Sequence, residues 1–317
     1  MKNIIIGGCG FIGSHLAETL VIRGGEVIVV DNLFSGKLSN LDTIKKNEKL
    51  KFYQADFTDI DKMRSILKRE KPEVLFNLAT VGLIRSLKNP IWCFQQEVRF
   101  AEIACQFALE GLFERLVHFS SSEVYGNVEM PVVDPENHVA KPATAYAVGK
   151  LAADNLIAAM TDLYKLNSII IRPFNNFGTG QCNVDYQGII PKTISLLLKK
   201  KPITIYGDGS QTRDFIFVDD MLKRMFLILR NHFALPVKSR RKIYHICSGQ
   251  EISINDIVRK IAGIGKFKLK IKYVKERLGE TYRLVGEQTQ MPGVKFSPLT
   301  PIEESIEYII KVNKGES

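Results

Sequence analysis

The chain is short of cysteine chemistry. Its five cysteines, Cys9, Cys93, Cys105, Cys182 and Cys247, are odd in number and scattered, with no CxxC pair and no Cys/His cluster, which argues against a disulfide framework and against a zinc site. No metal is expected, and a reducing cytoplasm is the expected compartment. No apolar stretch approaches the roughly 20 residues of a membrane span. The apolar run at the start, Asn3-Ile4-Ile5-Ile6, is too short and enters glycine too soon to read as a secretory signal, so no membrane partner is expected. Repeats and low-complexity segments are missing as well. The formal charge is +10, but the lysines are dispersed and no nucleic-acid recognition motif accompanies them. Lys266, Lys268, Lys270 and Lys272 alternate with apolar residues as on the solvent face of a strand. Nucleic acid is therefore not an expected partner, and an anionic small substrate accounts for the sign equally well. What the chain does have is apolar mass: 317 residues at 45% hydrophobic content suffice for one large core or two smaller ones.

The organising stretch is the first. Asn3-Ile4-Ile5-Ile6 reads as a buried strand, and after Gly13 the apolar positions recur at helical spacing. Between them lies Gly7-Gly8-Cys9-Gly10-Phe11-Ile12-Gly13. Gly8-x-Gly10-x-x-Gly13 is the dinucleotide fingerprint: its glycines allow a tight turn, close approach of backbone to a pyrophosphate, and close packing of helix on strand. A helix that starts there turns unpaired N–H groups and the positive end of its dipole toward the phosphates. A second strand, Val27-Ile28-Val29-Val30, ends in Asp31, whose carboxylate suits both ribose hydroxyls and repels a 2′-phosphate. NAD is expected rather than NADP.

Strand and helix then alternate. Leu50 to Ala55 reads as a third strand closed by Asp56, which either meets the adenine amino group or caps the next helix together with Asp59. Val74 to Ala79 and Leu116 to Phe119 read as the fourth and fifth strands, and Pro90 to Glu110 and Ala143 to Tyr164 as long helices. The pattern predicts an α/β fold, a Rossmann doubly wound parallel sheet with ligands outside the carboxyl ends of its strands. Asn77, Ser120, Ser121 and Ser122 then project where a cofactor would lie. In the second half a helix opens at Gly188-Ile189-Ile190-Pro191 and runs to Leu198, and Pro202 to Ile205 is a strand. Arg213 to Phe217 leads into a further helix, and a capped helix starts at Ile252-Ser253-Ile254-Asn255-Asp256. Leu269 to Tyr273 is a strand and Pro301 to Ile310 the last helix. The expected division is an NAD-binding domain over 1–173, rejoined by about 214–245, and a smaller α/β substrate-binding domain over 174–317.

The chemistry concentrates at two places. Phe119-Ser120-Ser121-Ser122-Glu123-Val124-Tyr125-Gly126 leaves the fifth strand, and Tyr146-Ala147-Val148-Gly149-Lys150 starts a helix with tyrosine and lysine one turn apart on one face. A free phenol has a pKa of about 10, and a neighbouring cation favours the phenolate, which makes Tyr146 usable as a base near neutrality. A serine from the strand end adds a hydrogen bond to the same substrate oxygen.

With these marks the sequence resembles, nearly end to end, the extended short-chain dehydrogenase/reductases, specifically the NAD-dependent nucleotide-sugar epimerase/dehydratase family. Its marks are Gly7-x-x-Gly10-x-x-Gly13, Asp31-Asn32-Leu33, Asn77-Leu78-Ala79, the serine cluster before Val124-Tyr125-Gly126, and Tyr146-x-x-x-Lys150. The second half adds Arg172-Pro173-Phe174-Asn175-Asn176-Phe177-Gly178, Ile205 to Phe215 with Arg213 inside it, and Arg277-Leu278-Gly279-Glu280.

The resemblance implies roles. Tyr146 is the base that takes the sugar hydroxyl proton, Lys150 binds the nicotinamide ribose and tunes the tyrosine, Ser121 orients the reacting oxygen, and Glu123 acts near C5 of the sugar. Gly7, Gly10, Phe11, Ile12, Gly13, Asp31, Asn32, Asp56, Phe57, Leu78, Ala79 and Ser120 would line the NAD site, together with Tyr146 and Lys150. Arg85, Ser122, Asn175, Arg213, Arg277 and Glu280 would hold a nucleotide diphosphate-linked hexose, the arginines on its phosphates. The implied reaction begins with oxidation at C4. The keto sugar is then dehydrated, decarboxylated, epimerised or released, as in enzymes of polysaccharide biosynthesis. Ser122-Glu123 resembles decarboxylases and 4,6-dehydratases, although serine stands where the dehydratases carry an aspartate; Glu123 otherwise positions hydroxyls or forms an ion pair. Two further departures are Glu97, where relatives commonly carry asparagine, and Phe100, where they carry glycine. The C-terminal segment Glu287 to Gly293 also lacks a familiar motif. A homodimer through the two long helices is implied, with Phe94, Ile103, Phe107, Leu156 and Met160 apolar enough for that interface or for a core.

Overall fold

Short β-branched runs separated by helical stretches set the architecture of the computed structural model, which describes residues 1–128, 133, 138–181, 188–236 and 240–316; Cys182 lies outside these. The strands β1 (Lys2–Ile6), β2 (Glu26–Asp31), β3 (Leu50–Gln54), β4 (Val74–Asn77), β5 (Arg115–Phe119) and β6 (Ser168–Pro173) join a seventh, Ile243–Ile246. The sheet order is Ile243–Ile246, β6, β5, β4, β1, β2, β3, and pairing from β3 through β6 is parallel. Helices cover both faces, so β4 and β6 are buried at every residue and show no alternation. Edge strand β3 is less covered, with Lys51 and Gln54 exposed. Strand order reverses between β1 and β4, and ligands of open α/β sheets bind outside the strand ends at such a reversal.

Two sheet strands escaped the sequence reading, β6 and Ile243–Ile246. Both are apolar runs too short to separate from buried helix by periodicity. Other elements lie close to expectation. The first long helix is α4, Pro90–Leu109, preceded by α1 (Phe11–Ile22), α2 (Ile60–Glu70) and the single turn α3 (Leu83–Ser86). The second, α5, spans Ala145–Tyr164 and starts later than expected because the Thr144 side chain accepts from Ala147 N–H at 3.2 Å and so becomes its cap. The lysine alternation is mostly not a strand. Gly265 and Lys266, the latter at φ +52°, turn the chain, and only Ile271–Val274 pairs, against Ile203–Tyr206. The final helix, Ile302–Lys314, runs about one turn past Ile310.

The chain forms two compact units. The first comprises Met1–Ser121, Thr144–Arg172 and Arg230–Tyr244; the second comprises Ser122–Ala143, Pro173–Leu229 and His245–Ser317. The first unit has its own core, in which Ile4, Leu75, Phe107 and Ile157 are fully buried and Leu156 and Met160 pack against them. Ile103 and Phe107 are therefore core residues, and the exposed apolar side chains of the long helices are others: Ile91, Trp92, Leu109, Val148, Leu163 and Tyr164. The second unit packs Ile194, Ile205, Ile257, Ile261 and Ile309 into a separate core. Tyr125 of the Val-Tyr-Gly mark is structural: its hydroxyl meets His245 Nε2 at 2.6 Å, both rings buried. Among the described residues no helix is long and apolar enough to cross a membrane, and no group of His, Cys, Asp and Glu is arranged to hold a metal. Cys9, Cys93, Cys105 and Cys247 are buried free thiols.

Candidate active site

In the first unit, β1 runs directly into the glycine turn. Gly7 sits at φ +78°, and a Cβ at Gly13 would lie 2.3 Å from the Gly7 carbonyl oxygen, so only glycine lets α1 pack on the turn. Gly10 is the N-cap of α1. No side chain caps this helix and its first turn holds no acidic residue, so the amides of Phe11 and Ile12 and the positive dipole end form a cradle for a diphosphate. Asp31 closes β2. Its Oδ2 accepts Cys9 N–H at 2.9 Å and its Oδ1 accepts Leu33 N–H at 2.8 Å, which leaves each oxygen a lone pair for a ribose hydroxyl. Burial raises the Asp31 pKa against these two hydrogen bonds. The loops after β1 and β4 are adjacent, since a Cβ at Gly7 would sit 3.0 Å from the Leu78 carbonyl; Leu78 and Ala79 are half-buried there.

Asp56 takes the Asn32 amide at 2.8 Å and the Thr58 N–H at 2.8 Å. Burial pushes its carboxyl up, but the hydrogen bonds from Thr58 and Asn32 outweigh it and hold the pKa below the ordinary value. Asp59, not Asp56, caps α2, accepting from Lys62 N–H. Arg85 lies with its guanidinium 4.1 Å from the Phe34 ring centroid, beside the loop that follows Asn32. Three expected cofactor contacts turn inward instead. Phe57 is 4% exposed and packs against Phe100 and Phe107, so only its backbone remains for a ligand. Ser120 Oγ donates to Asp154 Oδ2 at 2.8 Å, and Asp154 is also held by Arg172 Nη2 at 2.8 Å. Asn77 is fully buried against His118 and the Phe100 carbonyl. A polar side chain in a buried strand must find partners inside the protein.

Tyr146 and Lys150 lie one turn apart near the start of α5. Tyr146 is half-buried, as is Ser121. Lys150 is 2% exposed, and its Nζ donates to the Phe119 carbonyl at 3.0 Å and sits 3.0 Å from Glu97 Oε2. Burial acts to lower the Lys150 pKa, but the negative charges of Glu97 and Tyr146 outweigh it, and the ammonium is held above its ordinary value. A charged lysine coupled to a phenol is the arrangement that makes a tyrosine a proton acceptor.

The second unit gathers a separate polar cluster. Arg213 Nη2 meets Glu280 Oε1 at 2.9 Å. Glu123 Oε2 accepts from the Thr281 hydroxyl at 3.5 Å. Burial raises the Glu123 pKa, Arg213 opposes this and Glu280 adds to it, so Glu123, Arg213 and Glu280 share one field. Ser122 is buried. The side-chain nitrogen of Asn175 is buried with no hydrogen-bond partner among the described residues. Arg277 stacks 4.0 Å from the Tyr206 ring centroid. Sequence reasoning assigned no role to Glu97, Thr80 or Asp154. Glu97 alone left a signal, as a carboxylate in the middle of an otherwise apolar helix face.

The doubly wound sheet and the uncapped glycine turn define the class, a dinucleotide-binding α/β protein. The NAD dependent epimerase/dehydratase family matches residues 3–247, and the chain belongs to this family of NAD-dependent enzymes. It is 30% identical to the UDP-glucose 4-epimerase of Mycolicibacterium smegmatis, with 100% of each chain covered. It is also 30% identical to the UDP-N-acetyl-alpha-D-glucosaminuronate decarboxylase of Bacillus cytotoxicus, over 86% of this chain and 83% of that one. Among solved structures, the UDP-N-acetylglucosamine 4-epimerase of Methanobrevibacter ruminantium M1 in complex with UDP-N-acetylmuramic acid matches at a TM-score of 0.86 and 28% identity, covering 100% and 99% of the two chains.

Proposed function

We propose that this protein oxidises the C4 hydroxyl of a nucleotide diphosphate-linked hexose and then eliminates from the keto sugar, as a 4,6-dehydratase or a decarboxylase. The observation that carries the first half is Lys150, buried, charged and coupled to Tyr146. Gly10, Phe11, Ile12 and Gly13 would hold the NAD diphosphate and Asp31 its adenosine ribose; bound NAD supplies the acceptor for the C4 hydrogen, which leaves as hydride. Tyr146 takes the hydroxyl proton, Ser121 orients the oxygen, and Lys150 stabilises the phenolate that precedes transfer. Asn175 and Arg213 would bind the substrate diphosphate and Glu280 the nucleoside ribose, with Arg277 adding charge. Diphosphate entry exchanges the Arg213–Glu280 contact for paired donors on phosphate.

Elimination is supported by Glu123. A carboxyl whose pKa burial raises suits proton transfer at C5: in a dehydratase it would take the C5 proton as the C6 hydroxyl leaves as water, the hydride then being returned to C6, and in a decarboxylase it would protonate C5 after the C5 carboxylate leaves as carbon dioxide, the hydride being returned to C4. A second reading, 4-epimerase, is supported by the full-length likeness to the M. smegmatis enzyme; the chemistry would then be an isomerase's rather than a lyase's. Product NMR on a panel of nucleotide hexoses and nucleotide glucuronates tests both. Loss of water or of carbon dioxide is expected, and a panel yielding only C4 epimers overturns the elimination reading. A homodimer through α4 and α5 is supported by exposed Ile91, Val148, Leu163 and Tyr164 on those helices, and a cytoplasmic setting by the free thiols.

A further inference from the structure

Two lysine runs that lie far apart in the chain meet at one edge of the second unit. The helix Ile189–Leu198 is followed by Lys199, Lys200 and Lys201, and the helix Ile254–Ile264 by Lys266, Lys268 and Lys270. Each run leaves its helix through a left-handed residue, Lys200 at φ +55° and Lys266 at φ +52°, and feeds a strand. The strands Ile203–Tyr206 and Ile271–Val274 pair in parallel with Ile203 opposite Ile271, and Ile203 N–H donates to the Lys270 carbonyl at 2.8 Å. The two runs therefore enter the small sheet side by side. Phe267, Leu269 and Ile271 pack onto the core of the second unit, and alternation leaves Lys268 and Lys270 on the outside. All six lysines are exposed. Among the described residues none of the six forms an ion pair, since Asp256 and Glu303 are engaged by Arg259 and Lys260. A helix C-terminus favours a nearby cation, a need that one lysine from each run meets. The other four face solvent as uncompensated like charge. Substrate does not claim them either: Arg277 stacks on Tyr206, at the far end of the strand that Lys201 enters, about 10 Å along it.

We propose that this lysine face docks the protein on an anionic phospholipid surface. A leaflet rich in acidic headgroups is a broad, diffuse layer of negative charge, and each lysine brought against it strengthens binding about fivefold until salt screens the attraction. Lysine suits such a layer, because its compact, hydrated charge on a flexible stem needs no partner of fixed geometry. Nucleic acid fits the face less well. Reading bases or holding single strands draws on arginine forks and stacking aromatics, whereas the two runs hold no arginine and Phe267 between them is turned to the core. The contact is electrostatic and requires no membrane-spanning helix. In chain order these lysines look dispersed, and only the fold gathers them.

Co-sedimentation of the whole chain with vesicles tests this, at about 0.1 M salt, where the Debye length is about 10 Å. Phosphatidylcholine vesicles with about 30% phosphatidylserine are expected to carry the protein down, and pure phosphatidylcholine vesicles to leave it in solution. Raising salt to about 0.5 M should release it. The triple variant Lys266→Gln, Lys268→Gln, Lys270→Gln removes half of the patch and should weaken binding about 10²-fold. The same charge change on exposed lysines of the first unit, Lys46→Gln, Lys68→Gln, Lys88→Gln, should weaken it less than about fivefold. Equal binding to the two vesicles, an equal loss in both triple variants, or no loss in the first overturns the proposal. So does tighter binding to duplex DNA than to the phosphatidylserine vesicles at equal phosphate, which would make nucleic acid the partner. The wild-type comparison of the two vesicles and its salt dependence decide the matter even if a variant fails to fold, and none of these measurements depends on the reaction the protein catalyses.

Discussion

At the scale of single residues, the first unit separates groups that do chemistry from groups that hold the chemistry in place. Tyr146→Phe removes the proposed proton acceptor, so turnover should fall by about 10²–10⁴-fold while NAD affinity, read by calorimetric titration, stays near wild type. Ser120 makes the contrast. Its hydroxyl donates to Asp154 inside the protein, so Ser120→Ala is expected to cost about 1 kcal/mol of stability with NAD affinity unchanged. Asp154→Asn strands the buried Arg172 guanidinium and should cost about 3–5 kcal/mol in chemical denaturation. The motif Ser120-Ser121-Ser122 could not show this. Consecutive strand-end residues point to opposite sides of the sheet, and only the packing of α5 says which side holds a carboxylate.

At the scale of elements, α2 is fastened to the sheet through one carboxylate. Glu70, in the last turn of α2, meets Lys2 of β1 at 2.8 Å and Lys51 of β3 at 3.0 Å, and accepts from the Tyr53 hydroxyl at 2.7 Å. Burial opposes its charge, but the hydrogen bonds from Lys2, Tyr53 and Lys51 outweigh burial and lower its pKa to about 2 from an ordinary 4.5. A depressed carboxyl stabilises the fold above its unfolded pKa and loses that contribution as pH falls through its folded pKa. Acid denaturation should therefore show a stability loss between pH 4.5 and about 2, worth about 2–3 kcal/mol, that Glu70→Gln abolishes. The glycine turn is the second element-scale device. Gly13→Ala places a methyl 2.3 Å from the Gly7 oxygen, so α1 must lift from the turn, and loss of NAD binding together with a lower melting temperature is the expected result. Most elements were legible from apolar spacing. The exceptions in the main sheet were β6, buried throughout, and Ile243–Ile246, buried at all but its first residue, runs in which the alternation that marks a half-exposed strand does not exist.

At the scale of the whole molecule, the homodimer proposed through α4 and α5 would cover apolar side chains that those helices expose, Leu163 at 72% and Ile91 at 69%. Leu163→Asp should shift sedimentation from dimer toward monomer without altering thermal stability of the core. Of the residues the sequence offered for that interface or for a core, Phe94, Ile103, Phe107, Leu156 and Met160, Ile103 and Phe107 lie in the interior with Leu156 and Met160 packed against it, because helical periodicity shows which positions are apolar but not which of two apolar stripes meets the sheet. Local order in the chain determined the glycine turn, the carboxylate at the end of β2 and the tyrosine–lysine spacing, since each depends on residues within one turn or one strand–helix join. Tertiary structure alone decided that Glu97 faces Lys150, that Asp154 claims Ser120, and that Glu123, Arg213 and Glu280 share one field. These pairs lie 53, 34 and up to 157 residues apart, as Lys150 and Glu97, Asp154 and Ser120, and Glu280 and Glu123 show by number. Charges at that separation meet only when packing has brought their elements together.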